Sequence, residues 1–303
     1  MEYRGKSKGI GALKKEAREA LKGKWGMAIL VTFLATVISS AFSISGNISE
    51  GIDLISRDLF SGNFNLEQAT QSTGSTILVN LGGLINLLIG GSIAYGISSF
   101  FLKLLRSENP QVENLFSGFK FFGRNFLIQL IIGIFAVLWS LLVWIPAMIV
   151  AGIILFISFS TLTFSLNGEV SPSAITSGAF GTIAVIVLLF IICAIITYLI
   201  VLRYSMSYYI YIDNPHYTVM ECITTSKEMM KGNKVRLFTL HLSFIGWHIL
   251  SILTVFIGYL WLKPYINAAD ASFYNDLKGI AEPEENKEPT VSLYKEQTSS
   301  DEI

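Results

Sequence analysis

The sequence predicts an all-α fold, a polytopic transmembrane helix bundle, and three observations carry that prediction. Of its 303 residues, 52% are hydrophobic and only 15% charged, where soluble chains carry roughly 25%. The apolar residues are gathered into runs of about 20 or more, the length that crosses a hydrocarbon core. Basic residues cluster between those runs, on short amphipathic stretches that recur along the chain. The expected arrangement is about six spans, with five as the alternative, in three repeats of a surface amphipathic helix plus a helical hairpin.

Residues 1–24 hold Arg4, Lys6, Lys8, Lys14, Lys15, Arg18, Lys22 and Lys24, with Ile10, Leu13, Ala17 and Leu21 on one helical face. This is a basic amphipathic N-terminal helix, suited to an anionic inner leaflet at about 1 kcal/mol per basic residue. The plainer reading is a topology signal. Trp25 sits at interface depth and opens the first span, 25–45, read as a retained anchor rather than a cleaved signal. Residues 46–75 carry Glu50, Asp53, Asp58 and Glu67 against Arg57 alone, which places them outside. The second span, 76–102, closes on Lys103 and Arg106. Its Gly83, Gly90 and Gly91 form a stripe for close helix packing, or else the lining of a path.

Residues 109–124 read as a second surface helix, with Val112, Leu115, Phe116, Phe119 and Phe122 on one face and Lys120 and Arg124 beside it. The apolar run that follows, with its span at 126–160, exceeds one crossing, and Pro146 breaks its middle. Two passes would place Arg203, Lys227, Lys231, Lys234 and Arg236 outside, so one helix is expected, kinked near Pro146 and reaching past the outer surface. After an outer loop at 165–177 comes the fourth span, 178–202, with Arg203, Tyr204, Tyr208, Tyr209 and Tyr211 as its aromatic belt.

In the third surface helix, 217–231, Val219, Ile223, Ser226 and Met230 share a face. Gly232 is placed as its C-cap in the basic turn Lys231-Gly232-Asn233-Lys234. Beyond it, 235–253 and 256–277 are expected to form a helical hairpin, the alternative being one long span that leaves the C-terminus outside. The bundle, 25–278, ends there. Residues 279–303 are rich in Glu, Lys, Pro and Ser and are expected to be a disordered acidic tail.

Several of these residues resemble a known family. Ser226, Met230, Gly232, Leu240, Leu242-Ser243-Phe244-Ile245-Gly246-Trp247, Gly258, Trp261, Pro264-Tyr265 and Phe273-Tyr274 are similar to the pattern of bacterial membrane proteins catalogued as domain of unknown function 975. Ala17-Arg18, Leu21-Lys22-Gly23 and Trp25 resemble its opening. The resemblance implies a bacterial cytoplasmic membrane protein and no particular chemistry. With the basic segments inside, the N-terminus is expected to be cytoplasmic.

No phosphate loop, nucleophile elbow or HExxH pair occurs, so no enzyme, cofactor or metal is expected. Ionisable residues at membrane depth are the candidates instead. His241 and His248, seven apart, would share a helix face and could bind a metal or relay protons, the plainer reading being that His241 lies near the inner interface and His248 bonds a neighbouring helix, since no third ligand is visible. Asp270 would lie inside a span and need a partner, for which Lys263 or Arg203 are the sequence choices. Anionic inner-leaflet lipid and other membrane proteins are the expected partners, and nucleic acid is not. A non-enzymatic scaffold, accessory or lipid-interacting module is the first functional expectation. A transporter of a small or amphipathic molecule is the second.

Overall fold

The computed structural model describes residues 7–44, 73–166 and 172–281, and every regular element among them is helical. Of the outer loop expected at 46–75, residues 46–72 lie outside the described residues and 73–75 open a helix; residues 282–303 of the expected tail also lie outside them.

Helix α1 (Ile10–Leu21) ends at Gly23, whose φ of +74° only glycine adopts without strain. That residue lets the chain turn by 99° into α2 (Trp25–Ile44). Leu13, Ala17 and Leu21 have no exposed surface. They pack on the last helix, α10 (Tyr259–Ala281), which runs antiparallel to α1. The Lys8 amide donates to Asp276 Oδ1 at 3.2 Å, and Tyr265 Oη donates to the Lys14 carbonyl at 3.3 Å. The amphipathic face expected to lie on lipid is therefore closed by protein.

Helix α3 (Thr73–Leu105) is the central element, and Phe100, Phe101, Leu102 and Leu104 near its end are fully buried. Against it lies Val112–Phe121, a 3-10 helix where an α-helix was expected. At three residues per turn, positions 112, 115, 118 and 121 fall in line. Leu115 and Gly118 are buried on that line, while Phe116, Phe119 and Phe122 turn outward. The tighter winding thus splits the expected five-residue face in two. Glycine makes the close approach feasible. A Cβ at Gly96 would stand 1.9 Å from the Leu115 carbonyl oxygen, one at Gly118 2.1 Å from that of Ser92, and one at Gly91 2.3 Å from that of Asn125. The packing reading of the glycine stripe holds at Gly91; Gly83 falls outside the residues whose surroundings are described.

Helix α4 (Phe122–Leu166) runs unbroken through Pro146 for 45 residues, roughly 68 Å at 1.5 Å per residue. Helix α5 (Pro172–Val201) returns along it. Trp144 meets Phe190 at 5.6 Å between ring centroids, and the Ser158 and Thr182 hydroxyls lie 2.8 Å apart. One long helix is what the charge argument required.

A turn at Leu202–Tyr204 leads into α6 (Ser207–Asp213). Tyr204, Tyr209 and Tyr211 are buried here rather than forming a lipid-facing belt, and Tyr209 stacks on Tyr274 at 5.1 Å. Helix α7 (Val219–Met229) begins with a capping box, Thr218 with Glu221, and its turn closes at Gly232 with φ +85°. Cys222, Ile223, Ser226 and Met230 are buried, so this face also meets protein.

The expected span 235–253 is two short helices, α8 (Lys234–Leu242) and α9 (Ile245–Leu253), broken at Ser243-Phe244. Val255 and Phe256, at φ +52° and +66°, then reverse the chain into α10. Helix α10 forms where the return helix was expected, but Ala268, Ala269, Ala271, Phe273 and Tyr274 are buried in the bundle. Among the described residues the stretches long and apolar enough to cross a membrane are Ile85–Leu105, Val112–Ser160, Phe180–Asp213 and Lys234–Leu253; α1 with α2 makes five. Helix α10, where the sixth span was expected, is not among these stretches and carries Lys263, Asp270, Asp276 and Lys278.

Candidate functional site

Two of the candidate residues, His241 and Asp270, meet where α8, α5 and α10 converge. His241 is seven residues into α8 from Lys234, roughly 10 Å along the axis. Its Nε2 is 2.7 Å from Asp270 Oδ1 and its Nδ1 is 2.5 Å from Tyr198 Oη. The imidazole thus bridges an acid on α10 and a phenol on α5. A neutral ring donates to the carboxylate and accepts from Tyr198; an imidazolium donates to both. Asp270 accordingly pairs with His241, and not with Lys263 or Arg203. The guanidinium of Arg203 lies over the Trp139 ring at 5.5 Å.

His248 is separated from His241 by the break at Ser243-Phe244. Its Nδ1 is 3.0 Å from Tyr259 Oη, across the turn to α10. Of the four candidates the fold unites His241 and Asp270 and leaves His248 and Arg203 elsewhere. Their seven-residue spacing crosses the Ser243-Phe244 turn, and the two rings engage different partners, Asp270 and Tyr259.

Two ion-pair clusters escaped the sequence reading. In the first, Arg106 Nη1 and Nη2 donate to Asp213 Oδ1 and Oδ2 at 2.7 and 2.8 Å. Tyr274 Oη at 3.0 Å and Lys278 Nζ at 3.1 Å also donate to Asp213, tying the ends of α3, α6 and α10 together. The Asp213 side chain is 6% exposed, so these donors replace its water. In the second, Arg236 donates to Asp276 and, at 2.6 Å, to the Lys8 carbonyl, joining α8, α10 and the start of α1. The one usable signal was the presence of acids at Asp270 and Asp276 in an otherwise mostly apolar helix.

A cleft of about 530 Å³ opens between α1, α2, α9 and α10. Lys14 and Arg18, one helical turn apart, stand on its wall, and Trp25, Trp247, Leu250 and Trp261 supply apolar lining. Lys14 Nζ donates to the Ser243 carbonyl at 3.3 Å and to its Oγ at 3.2 Å, and sits 4.4 Å from the Phe244 ring centroid. Elsewhere, burial pushes the Cys222 thiol up to about 11, so it remains a thiol at neutral pH and packs as an apolar residue.

No curated protein and no solved structure matches this chain. The model of a family described as "Protein of unknown function (DUF975)" matches residues 10–281, which takes in all the helices above, and the chain belongs to that family.

Proposed function

We propose that the protein is a non-enzymatic, lipid-interacting module of the bacterial cytoplasmic membrane, serving as a scaffold or accessory to other membrane proteins. One observation carries this reading. The most apolar helices are those least covered by their own chain: 6% of the residues in the most apolar window of Val112–Ser160 are buried, and 11% in that of Phe180–Asp213. Surfaces of that kind are stable only against acyl chains or a partner's helices. The other end of the bundle is tied by the Asp213 and Asp276 clusters, a rigid base for the projecting hairpin. The basic residues at Lys14, Lys15, Arg18, Lys22, Lys103, Lys120, Lys227 and Lys231 support a multi-pass topology with the N-terminus and that base in the cytoplasm.

The test is purification of the full chain in mild detergent, followed by mass spectrometry of what it retains. Retained phospholipid, or a membrane protein at a fixed ratio, supports the proposal. A chain stripped of both, which moves a labelled solute into proteoliposomes, overturns it. The transporter reading rests on its own observation, the Tyr198–His241–Asp270 chain, because an exchangeable proton at membrane depth is a common transport element. Solute uptake that follows a pH gradient and is lost in Asp270→Asn would favour it.

A further inference from the structure

We propose that the cleft between α1, α2, α9 and α10 binds one anionic phospholipid, its phosphate held by Lys14 and Arg18 and an acyl chain laid along Trp247, Leu250 and Trp261. The inference rests on the lipid-interacting reading and adds a place and a headgroup charge to it.

Charge complementarity is the first argument. Lys14 has only neutral acceptors, the Ser243 carbonyl and hydroxyl, and Arg18 makes no hydrogen bond or ion pair among the described residues. The acids of α1 are engaged elsewhere. Glu16 accepts from Lys8 at 2.8 Å and from Ser272 at 3.0 Å, and Glu19 pairs with Lys15 at 3.9 Å. Two cations one turn apart therefore face the cleft with no carboxylate between them.

The second argument is the shape and chemistry of the wall. Trp247, Leu250 and Trp261 are each about half exposed, at 53%, 50% and 51%, although they are large and apolar. A volume of about 530 Å³ falls within the range of small-molecule sites, roughly 300–1,000 Å³. Trp25 and its companions place indole rings beside the cations, the combination expected where headgroup meets chain. A soluble anion would satisfy Lys14 and Arg18 but leave the tryptophan wall wet. A neutral lipid would do the reverse. An anionic phospholipid satisfies both.

Only five tryptophans occur in the chain, and three of them line the cleft. In full-length protein carrying W139F and W144F, indole fluorescence therefore reports the cleft alone. Delipidated protein in detergent is titrated with phosphatidylglycerol bearing brominated acyl chains and, separately, with the matched brominated phosphatidylcholine. Quenching at a concentration at least tenfold lower for phosphatidylglycerol is expected. Arg18→Gln should weaken that response about fivefold, the equivalent of about 1 kcal/mol for one basic residue. Arg18 ties nothing together, so this variant folds. K15Q/K22Q, which removes two exposed cations of α1 outside the cleft, should leave the titration unchanged.

Equal quenching by both lipids, or an Arg18→Gln titration identical to the parent's, overturns the proposal. So does quenching that appears only after residues 282–303 are deleted, which would assign the cations to that acidic segment. Retained lipid without a phosphatidylglycerol preference at the cleft sinks this site and leaves the broader reading standing; the broader reading fails only when lipid and partner retention are both absent.

Discussion

Phe100 and Phe156 both sit in long apolar helices, and they end in opposite surroundings. Phe100, on α3, has no exposed surface and packs edge-on against Phe101 at 5.2 Å. Phe156, on α4, is 71% exposed. The same contrast divides the molecule. The base, built from α1, α3, the 3-10 helix, α6, α8 and α10, has a closed interior and ion-paired helix ends. The hairpin of α4 and α5 is more apolar, yet far less of it touches protein. Hydrophobicity alone therefore does not locate the core of a membrane protein. Lipid accepts apolar side chains as readily as protein does, so burial goes to the helices that also offer close backbone approach or polar partners.

The largest test of that contrast removes the two rings. Phe100→Ala should cost about 3 kcal/mol through the cavity it leaves, whereas Phe156→Ala should stay within about 0.5 kcal/mol. Both are measured by denaturant titration in detergent, and equal losses would erase the distinction between base and hairpin. Asp213→Ala should cost about 3 kcal/mol by leaving Arg106 without its carboxylate. That figure is at the low end for a buried pair because Arg106 and Lys278 are 29% and 38% exposed and partly screened. Restoration of stability by an added Arg106→Met would confirm that the unpaired charge is the cause.

Glycines sharpen the comparison further. Gly96→Ala drives a methyl group into the Leu115 carbonyl and should cost about 1–3 kcal/mol. Gly152 and Gly181 on the hairpin have nothing within 4 Å of a Cβ. Alanine there should be neutral or stabilising by up to about 1 kcal/mol, from helix propensity. Thermal midpoints of the three variants decide this, and a destabilised Gly152→Ala would show that the hairpin is closely packed after all.

The smallest effect concerns the cap of α7. The Thr218 amide and hydroxyl donate to Glu221 Oε2 at 2.7 and 2.9 Å and hold its carboxyl below the usual 4.5. A depressed acid stabilises the fold above its unfolded-state value and loses that contribution as the pH falls through its lower folded value. Glu221→Gln should therefore lower the midpoint at pH 7, and the gap from the parent should close on acidification below about pH 4. A gap that is constant from pH 7 to pH 3 would remove the charge from the explanation.

Part of this was legible in the sequence. The runs from Phe126 and Gly178 are too apolar to be anything but membrane helices, and the placement of Arg203 and Lys234 required one long helix before them. The face of α1 was visible as Leu13, Ala17 and Leu21, and Gly91 was visible as a packing residue. The partners of these faces were not. Periodicity shows that one side of a helix avoids water, and it is silent on whether lipid or α10 provides the cover.

The sequence by itself therefore determined the helices, their apolar sides and the lipid environment, because each follows from interactions within a turn or two of the chain. Only the tertiary structure decided that a 3-10 winding replaces an α-turn beside Gly96, that His241 meets Asp270 while His248 does not, and that Asp213 gathers Arg106 from 107 residues away. These depend on where separate helices come to rest. The turn at Ser243-Phe244 and the reversal at Val255-Phe256 set those positions, and at the reversal two non-glycine residues stand at positive φ, +52° and +66°, against their local preference.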